Sequence, residues 1–111
     1  MTLFEGIIAR EIAADICYED DHCIAFHDVN PQAPVHVLLV PKKVIKKLSD
    51  ISSTDQMLLG HLMTTIPTIV EQVCPGQDFR IVINNGLQAG QSVFHLHVHI
   101  LAGRAFDWPP G

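Results

Sequence analysis

Between Val93 and Leu101 apolar residues alternate strictly with histidines, as Val93-Phe94-His95-Leu96-His97-Val98-His99-Ile100-Leu101. A period of two marks a strand with two unlike faces. Phe94, Leu96, Val98 and Ile100 are expected to enter a core, leaving His95, His97 and His99 in a row on the opposite face. Three imidazoles make a poor packing device, because each ring nitrogen removed from water needs a partner. The plainer alternative is a solvated face, but such faces usually mix Thr, Lys, Glu and Arg. The row therefore points to metal binding or to chemistry. Side chains two apart on a strand stand ~6.7 Å apart and the outer pair ~13 Å, whereas zinc–nitrogen bonds are ~2.0–2.1 Å. His95 and His97 could share a zinc ion only with a third ligand, for which His36 is the candidate. All three in the row cannot converge on one ion without a sharp bend. Nucleophilic or acid–base work is favoured, His being the side chain that titrates near neutrality.

Just upstream, Ala89-Gly90-Gln91-Ser92 supplies a glycine, free N–H groups, an amide and a hydroxyl. Such a turn suits a phosphate, although alone it is an ordinary loop before a strand. Earlier in the chain, Phe26 and Asp28 share a strand face, an aromatic wall next to a carboxylate that can accept from vicinal hydroxyls. That pairing suits a nucleoside, with core packing for Phe26 and a turn role for Asp28 as the alternatives.

His95-Leu96-His97-Val98-His99-Ile100-Leu101 resembles the signature of the histidine triad (HIT) superfamily of nucleotide hydrolases and transferases. Phe26 through Pro34, His36 with Val40-Pro41-Lys42-Lys43, Gly90-Gln91-Ser92 and the terminal Trp108-Pro109-Pro110-Gly111 resemble its Hint branch, the purine nucleoside phosphoramidases. The likeness extends over nearly the whole chain. It implies a HIT-like α+β fold, with a mainly antiparallel sheet of about five strands and two main helices, and a homodimer. The implied reaction hydrolyses a purine nucleoside 5′-phosphoramidate through a nucleotidyl-histidine, without cofactor or metal. By the same resemblance His97 is the nucleophile, and His99 with the Gln91-Ser92 turn stabilises phosphoryl charge. Ser92 also meets the leaving amine, and His95 and His36 orient the site. Phe26, Asp28, Val29, Asn84, Gly90, Gln91 and Ser92 would hold the nucleotide beside His97 and His99. A dinucleoside polyphosphate hydrolase of the fragile-histidine-triad type, and a non-catalytic nucleotide- or partner-binding protein, are the competing readings.

With 111 residues, one domain over residues 1–111 is expected, its last segment (104–111) forming an arm. No apolar run approaches the ~20 residues that span a bilayer, and the N-terminus does not read as a signal peptide. A cytoplasmic protein without a membrane partner follows. A net charge of −5 argues against a nucleic-acid polymer as partner, while one small phosphate site needs no basic surface. Cys17, Cys23 and Cys74 read as free thiols. Cys17, His22, Cys23 and His27 crowd together but match no common zinc spacing.

In chain order, Leu3-Phe4, Ile7-Ile8 and Ile12 predict a short amphipathic helix over about residues 4–10, whose Phe4 and Ile7, by resemblance, also wall the purine pocket. Ile16-Cys17-Tyr18-Glu19 and Cys23 to His27 predict a hairpin, and Val35 to Val40 a strand interrupted only by His36. Lys42, Lys43, Lys46 and Lys47 read as a solvated helix face. Ser52-Ser53-Thr54-Asp55 offers N-caps for a helix carrying Leu58, Leu62, Thr65, Ile66, Ile69 and Val73, in which Pro67 predicts a kink or a junction of two helices. Phe79 to Ile83 predicts another strand. The helices are expected on one face of the sheet.

Overall fold

In the computed structural model, which describes residues 1–111, five strands form one antiparallel sheet in the order β1-β2-β3-β5-β4. They are β1 (Ile16–Glu19), β2 (Cys23–His27), β3 (Val35–Pro41), β4 (Phe79–Val82) and β5 (Val98–Ala102). Helix α1 spans Leu3–Ile8 and α2 spans Gln56–Val73. The α+β architecture is the expected one.

The inner strands β2 and β3 are apolar at nearly every position, so both of their faces must be covered. Alternate residues divide accordingly. Cys23, Ala25, Val37, Leu39, Val98 and Ile100 pack against Leu62, Ile66, Ile69 and Val70 of α2. Ile24, Phe26, Leu38 and Val40 face the other way and pack against Phe4 and Ile7 of α1. The helices thus lie on opposite faces, not on one; the apolar parity of β2 and β3 requires it.

Helix α1 begins with a reciprocal cap: Glu5 N–H donates to Thr2 Oγ1 (3.2 Å) and Thr2 N–H donates to Glu5 Oε1 (2.9 Å). Helix α2 follows a 3-10 turn over Ser53–Asp55, in which Ser52 N–H donates to Asp55 Oδ2 at 3.0 Å. Its buried positions, Leu62, Thr65, Ile66, Ile69 and Val70, recur at helical spacing. The helix runs unbroken through Pro67, which corrects the expectation of two helices meeting there. Pro67 and Met63 both sit on the exposed side, where water can take the carbonyl that the proline leaves without its amide.

Two other expectations change. The lysines follow β3 in an irregular connection rather than a helix; Lys42 pairs with Glu19 (2.8 Å) and Lys43 with the buried Asp55. The histidine stretch is not one continuous strand either. Regular pairing with β3 begins at Val98, opposite Leu39, and residues 93–95 bend. The ladder stops because β3 ends at Pro41, which has no N–H to continue it. Phe94 consequently turns outward and is 37% exposed, instead of entering the core.

Candidate functional site

The bend before β5 brings the His95 ring to the end of β3, against the Pro41 carbonyl. His95 is completely buried and both its nitrogens are engaged. Nε2–H donates to the Pro41 carbonyl at 2.7 Å, and Nδ1 accepts from the Thr2 hydroxyl at 3.3 Å. The hydroxyl that caps α1 therefore also orients the first histidine of the row. Burial lowers the His95 pKa, against the Pro41 bond that raises it.

His97 Nδ1–H donates to the backbone carbonyl of His95 at 2.8 Å. That bond fixes the tautomer and leaves Nε2 with its lone pair. The ring is packed edge-on against Phe4, with centroids 5.0 Å apart, and stands 5.0 Å from the His99 ring.

His99 lies within β5, diagonally across the ladder from His36 on β3. Gln32 N–H donates to His36 Nδ1 (3.0 Å), so in the neutral ring the proton sits on Nε2. That Nε2–H donates to His99 Nδ1 at 2.9 Å, which in turn places the His99 proton on its own Nε2. The chain from Gln32 through His36 thus makes His99 a neutral donor. Burial, then the neighbouring His97 and His36, push the His99 pKa down to about 4, and burial also lowers that of His36. Adjacent rings consequently present opposite functions: a lone pair on His97 and an N–H on His99.

Asp28 follows β2 with Oδ2 3.5 Å from His36 Nε2, while Oδ1 accepts from Asn30 N–H at 2.8 Å. A carboxylate has about four acceptor sites, which leaves capacity for hydroxyls. Phe26 meets Phe4 edge-to-face at 5.5 Å, and both line an apolar cavity of about 190 Å³ with Ile7, Ile12 and Leu38. Asp28 and Val29, the latter 99% exposed, line the same cavity. A second hollow of about 200 Å³ joins Asn84 to His36 and His99.

The turn before the triad is built differently from expectation. Gln91 is 1% exposed, and its amide is fully used in holding loops together. Oε1 accepts from Gly86 N–H (2.8 Å), while Nε2 donates to the carbonyls of Lys46 (2.8 Å) and Val93 (3.0 Å). Its backbone N–H is also taken, by the Gly86 carbonyl at 3.1 Å. Gln91 therefore has no donor left for a phosphate. Gly90 has φ +100°, a left-handed conformation that disfavours any side chain, and a Cβ there would meet Asn84 Nδ2 at 3.6 Å. Ser92, next in the chain, is exposed.

The zinc set His36, His95 and His97 does not assemble, since His36 faces His99 and both His95 nitrogens are spent. Asp28, His36 and His99 are the group at this site whose ligand atoms lie within 4.8 Å of one another. Sequence reasoning missed Thr2 and Pro41 as partners of His95. Thr2-x-x-Glu5 is a visible capping signature, but nothing local shows that its hydroxyl reaches a residue more than ninety positions away.

A sequence model of the HIT domain matches residues 9–106. An uncharacterized HIT-like protein of Synechocystis sp. is 58% identical over 110 residues, covering 99% of this chain and 96% of the relative. A HIT-like protein of Synechococcus elongatus is 53% identical, with the same coverage of 99% and 96%. Among solved structures, a HIT family hydrolase from Legionella pneumophila superposes with a TM-score of 0.95 at 37% identity, covering all of both chains. A histidine triad protein from Clostridium difficile gives a TM-score of 0.87 at 41% identity, over 95% of this chain and 92% of that one. Sequence and fold agree from end to end: the chain belongs to the HIT domain family.

Proposed function

We propose that the protein is a nucleoside phosphoramidase, hydrolysing the P–N bond of purine nucleoside 5′-phosphoramidates. The observation that carries this reading is the pair of opposed tautomers. His97 Nδ1 is tied to the His95 carbonyl, so Nε2 can attack phosphorus without first losing a proton. His99 Nε2–H stands ready to donate to a phosphoryl oxygen as charge builds there. Attack forms a bond from His97 Nε2 to the α-phosphorus and breaks the bond to nitrogen, the amine leaving with a proton drawn from solvent, which the attacking water of the second step returns. Water then attacks the nucleotidyl-histidine, releasing the nucleoside monophosphate and restoring the ring. Ser92 is assigned to the phosphoryl oxygens and leaving amine. Gln91, its donors all bonded within the loops, shapes the turn instead. No metal enters a step.

The base is assigned to the apolar cavity between Phe4 and Phe26, with Val29 at its edge, and the ribose to Asp28. Asn84 and Gly90 lie on the His99 side, where they would border the ribose and phosphate. The functional unit is assigned to residues 1–111 as one domain acting as a cytoplasmic homodimer. Strand β4, at the open end of the sheet with Phe79 exposed, is consistent with a second copy docking there.

Turnover of adenosine and guanosine phosphoramidates is expected to exceed that of diadenosine polyphosphates. With a slow substrate, mass spectrometry should find one nucleotide on His97. His97→Ala should lose turnover by at least about 10³-fold and retain nucleotide binding. Faster cleavage of the dinucleoside polyphosphate favours the fragile-histidine-triad type; near-normal turnover by the variant refutes the covalent route.

A further inference from the structure

On the α2 face of the sheet, away from the triad, Asp20, Cys23 and His61 present ligand atoms that all lie within 4.8 Å of one another. They come from three places: the β1–β2 turn, the first residue of β2 and the second turn of α2. Asp20 Oδ2 lies 2.6 Å from His61 Nε2, and both Asp20 oxygens lie 3.5 Å from Cys23 Sγ. In a tetrahedral zinc site with bonds of about 2.3 Å to sulfur and 2.0 Å to oxygen, those two ligands stand about 3.5 Å apart. The sulfur–carboxylate edge already has that length. The imidazole–carboxylate edge is shorter, and His61, at the protein surface, has room to move back.

His22, in the same turn, is the candidate for a fourth ligand. Its ring is 5.4 Å from that of His61, and the two share a hollow of about 240 Å³ with Met57 and Leu58. The crowd of cysteines and histidines at residues 17–27 matches no common zinc spacing by itself, but His61 on α2 joins two of its neighbours in space. Cys17 instead bonds the Ala25 carbonyl (3.6 Å), while His61 arrives from α2.

We propose that Asp20, Cys23 and His61 form a zinc site, with His22 as fourth ligand, that clamps the β1–β2 turn to α2. A thiolate, two imidazoles and a carboxylate are a donor set that selects zinc over the harder cations. The cation would displace the Cys23 thiol proton to solvent, while the His61 proton moves from Nε2 to Nδ1 so that Nε2 can bind. Tyr18 O–H, which donates to Asp20 Oδ2 at 2.9 Å, would keep its bond and orient the carboxylate as a second layer of support.

Cobalt(II) added to the metal-free protein tests the site. One equivalent should bind with tetrahedral visible bands and a thiolate-to-cobalt band in the near ultraviolet, and zinc should displace it. Cys23→Ser should abolish the thiolate band, and His61→Gln should weaken zinc binding by at least about a hundredfold. His22→Ala should weaken it by at least about tenfold. His99→Ala, which dismantles the Asp28–His36–His99 group, should leave the band intact. Zinc at a hundredfold excess over Kd should raise Tm by at least about 10 °C in the wild type and not in His61→Gln. Tetrahedral visible bands without a thiolate band, lost in His99→Ala and kept in Cys23→Ser, would place the metal at the triad and overturn the proposal. So would the absence of any stoichiometric cobalt spectrum. Because His61 is partly exposed, its variant remains a folded test even if Cys23→Ser does not fold.

Discussion

Thr2 Oγ1 accepts from Glu5 N–H while its own proton goes to His95 Nδ1, so one hydroxyl starts a helix and aims a buried ring. Thr2→Ala should cost about 1 kcal/mol of stability through the lost cap. It should also lower kcat severalfold, by loosening the carbonyl that holds His97, with KM little changed. Thr2→Ser should restore both; steady-state kinetics with urea denaturation check this, and a purely structural Thr2 would move only the second. The histidines carry a pH prediction as well. Burial lowers the pKa of His36, His95 and His99 in the folded protein, that of His99 to about 4, whereas an unfolded histidine titrates near ~6.5. Between those values the unfolded chain binds protons that the folded one refuses. Stability is therefore complete above pH ~6.5 and declines as pH falls toward 4. The urea midpoint should drop steadily across that window, and a flat profile would contradict the neutral histidine chain.

Among the elements, α2 departs most from what its residues suggest one by one. Proline inside a helix costs about 3 kcal/mol relative to alanine, yet the helix continues through Pro67 because sheet packing of Leu62, Ile66, Ile69 and Val70 holds both halves in line. Pro67 is exposed, so Pro67→Ala removes no packing and should stabilise by about 1–3 kcal/mol, offset in part by the freer unfolded chain. Equilibrium urea unfolding measures it. Local pattern was enough for the hairpin, for β3 and for the apolar stripe of α2, because each rests on periodicity that one segment carries alone. It failed at Phe94 and at the lysines. There the outcome depends on where β3 stops and on Asp55, a partner twelve residues from Lys43. His97 and His99 could be singled out from alternation, but the tautomers that make them different depend on Gln32 and a bent backbone.

For the whole molecule, the open edge at β4 and the C-terminal segment belong together. Both the Arg80 (5.1 Å) and Arg104 (4.3 Å) guanidinium groups lie over the Phe106 ring, and Arg80 donates to the Asp107 carbonyl at 2.9 Å. Beyond that anchor Trp108 is 82% exposed, where the proposed homodimer would let it meet the second copy. Deleting residues 107–111 should shift relative kcat/KM among phosphoramidates with different amines and leave AMP affinity and dimerisation nearly unchanged. Unaltered amine preference would exclude this role for the arm. The Gln91 amide has a different kind of consequence. By joining Gly86, Lys46 and Val93 it ties together stretches far apart in the chain, so their lengths cannot drift separately. An insertion at 43–50 would be felt at His95, whereas one at the β1–β2 turn would not pass through that knot. Relatives should therefore vary in length at the chain ends and keep these two connections in step.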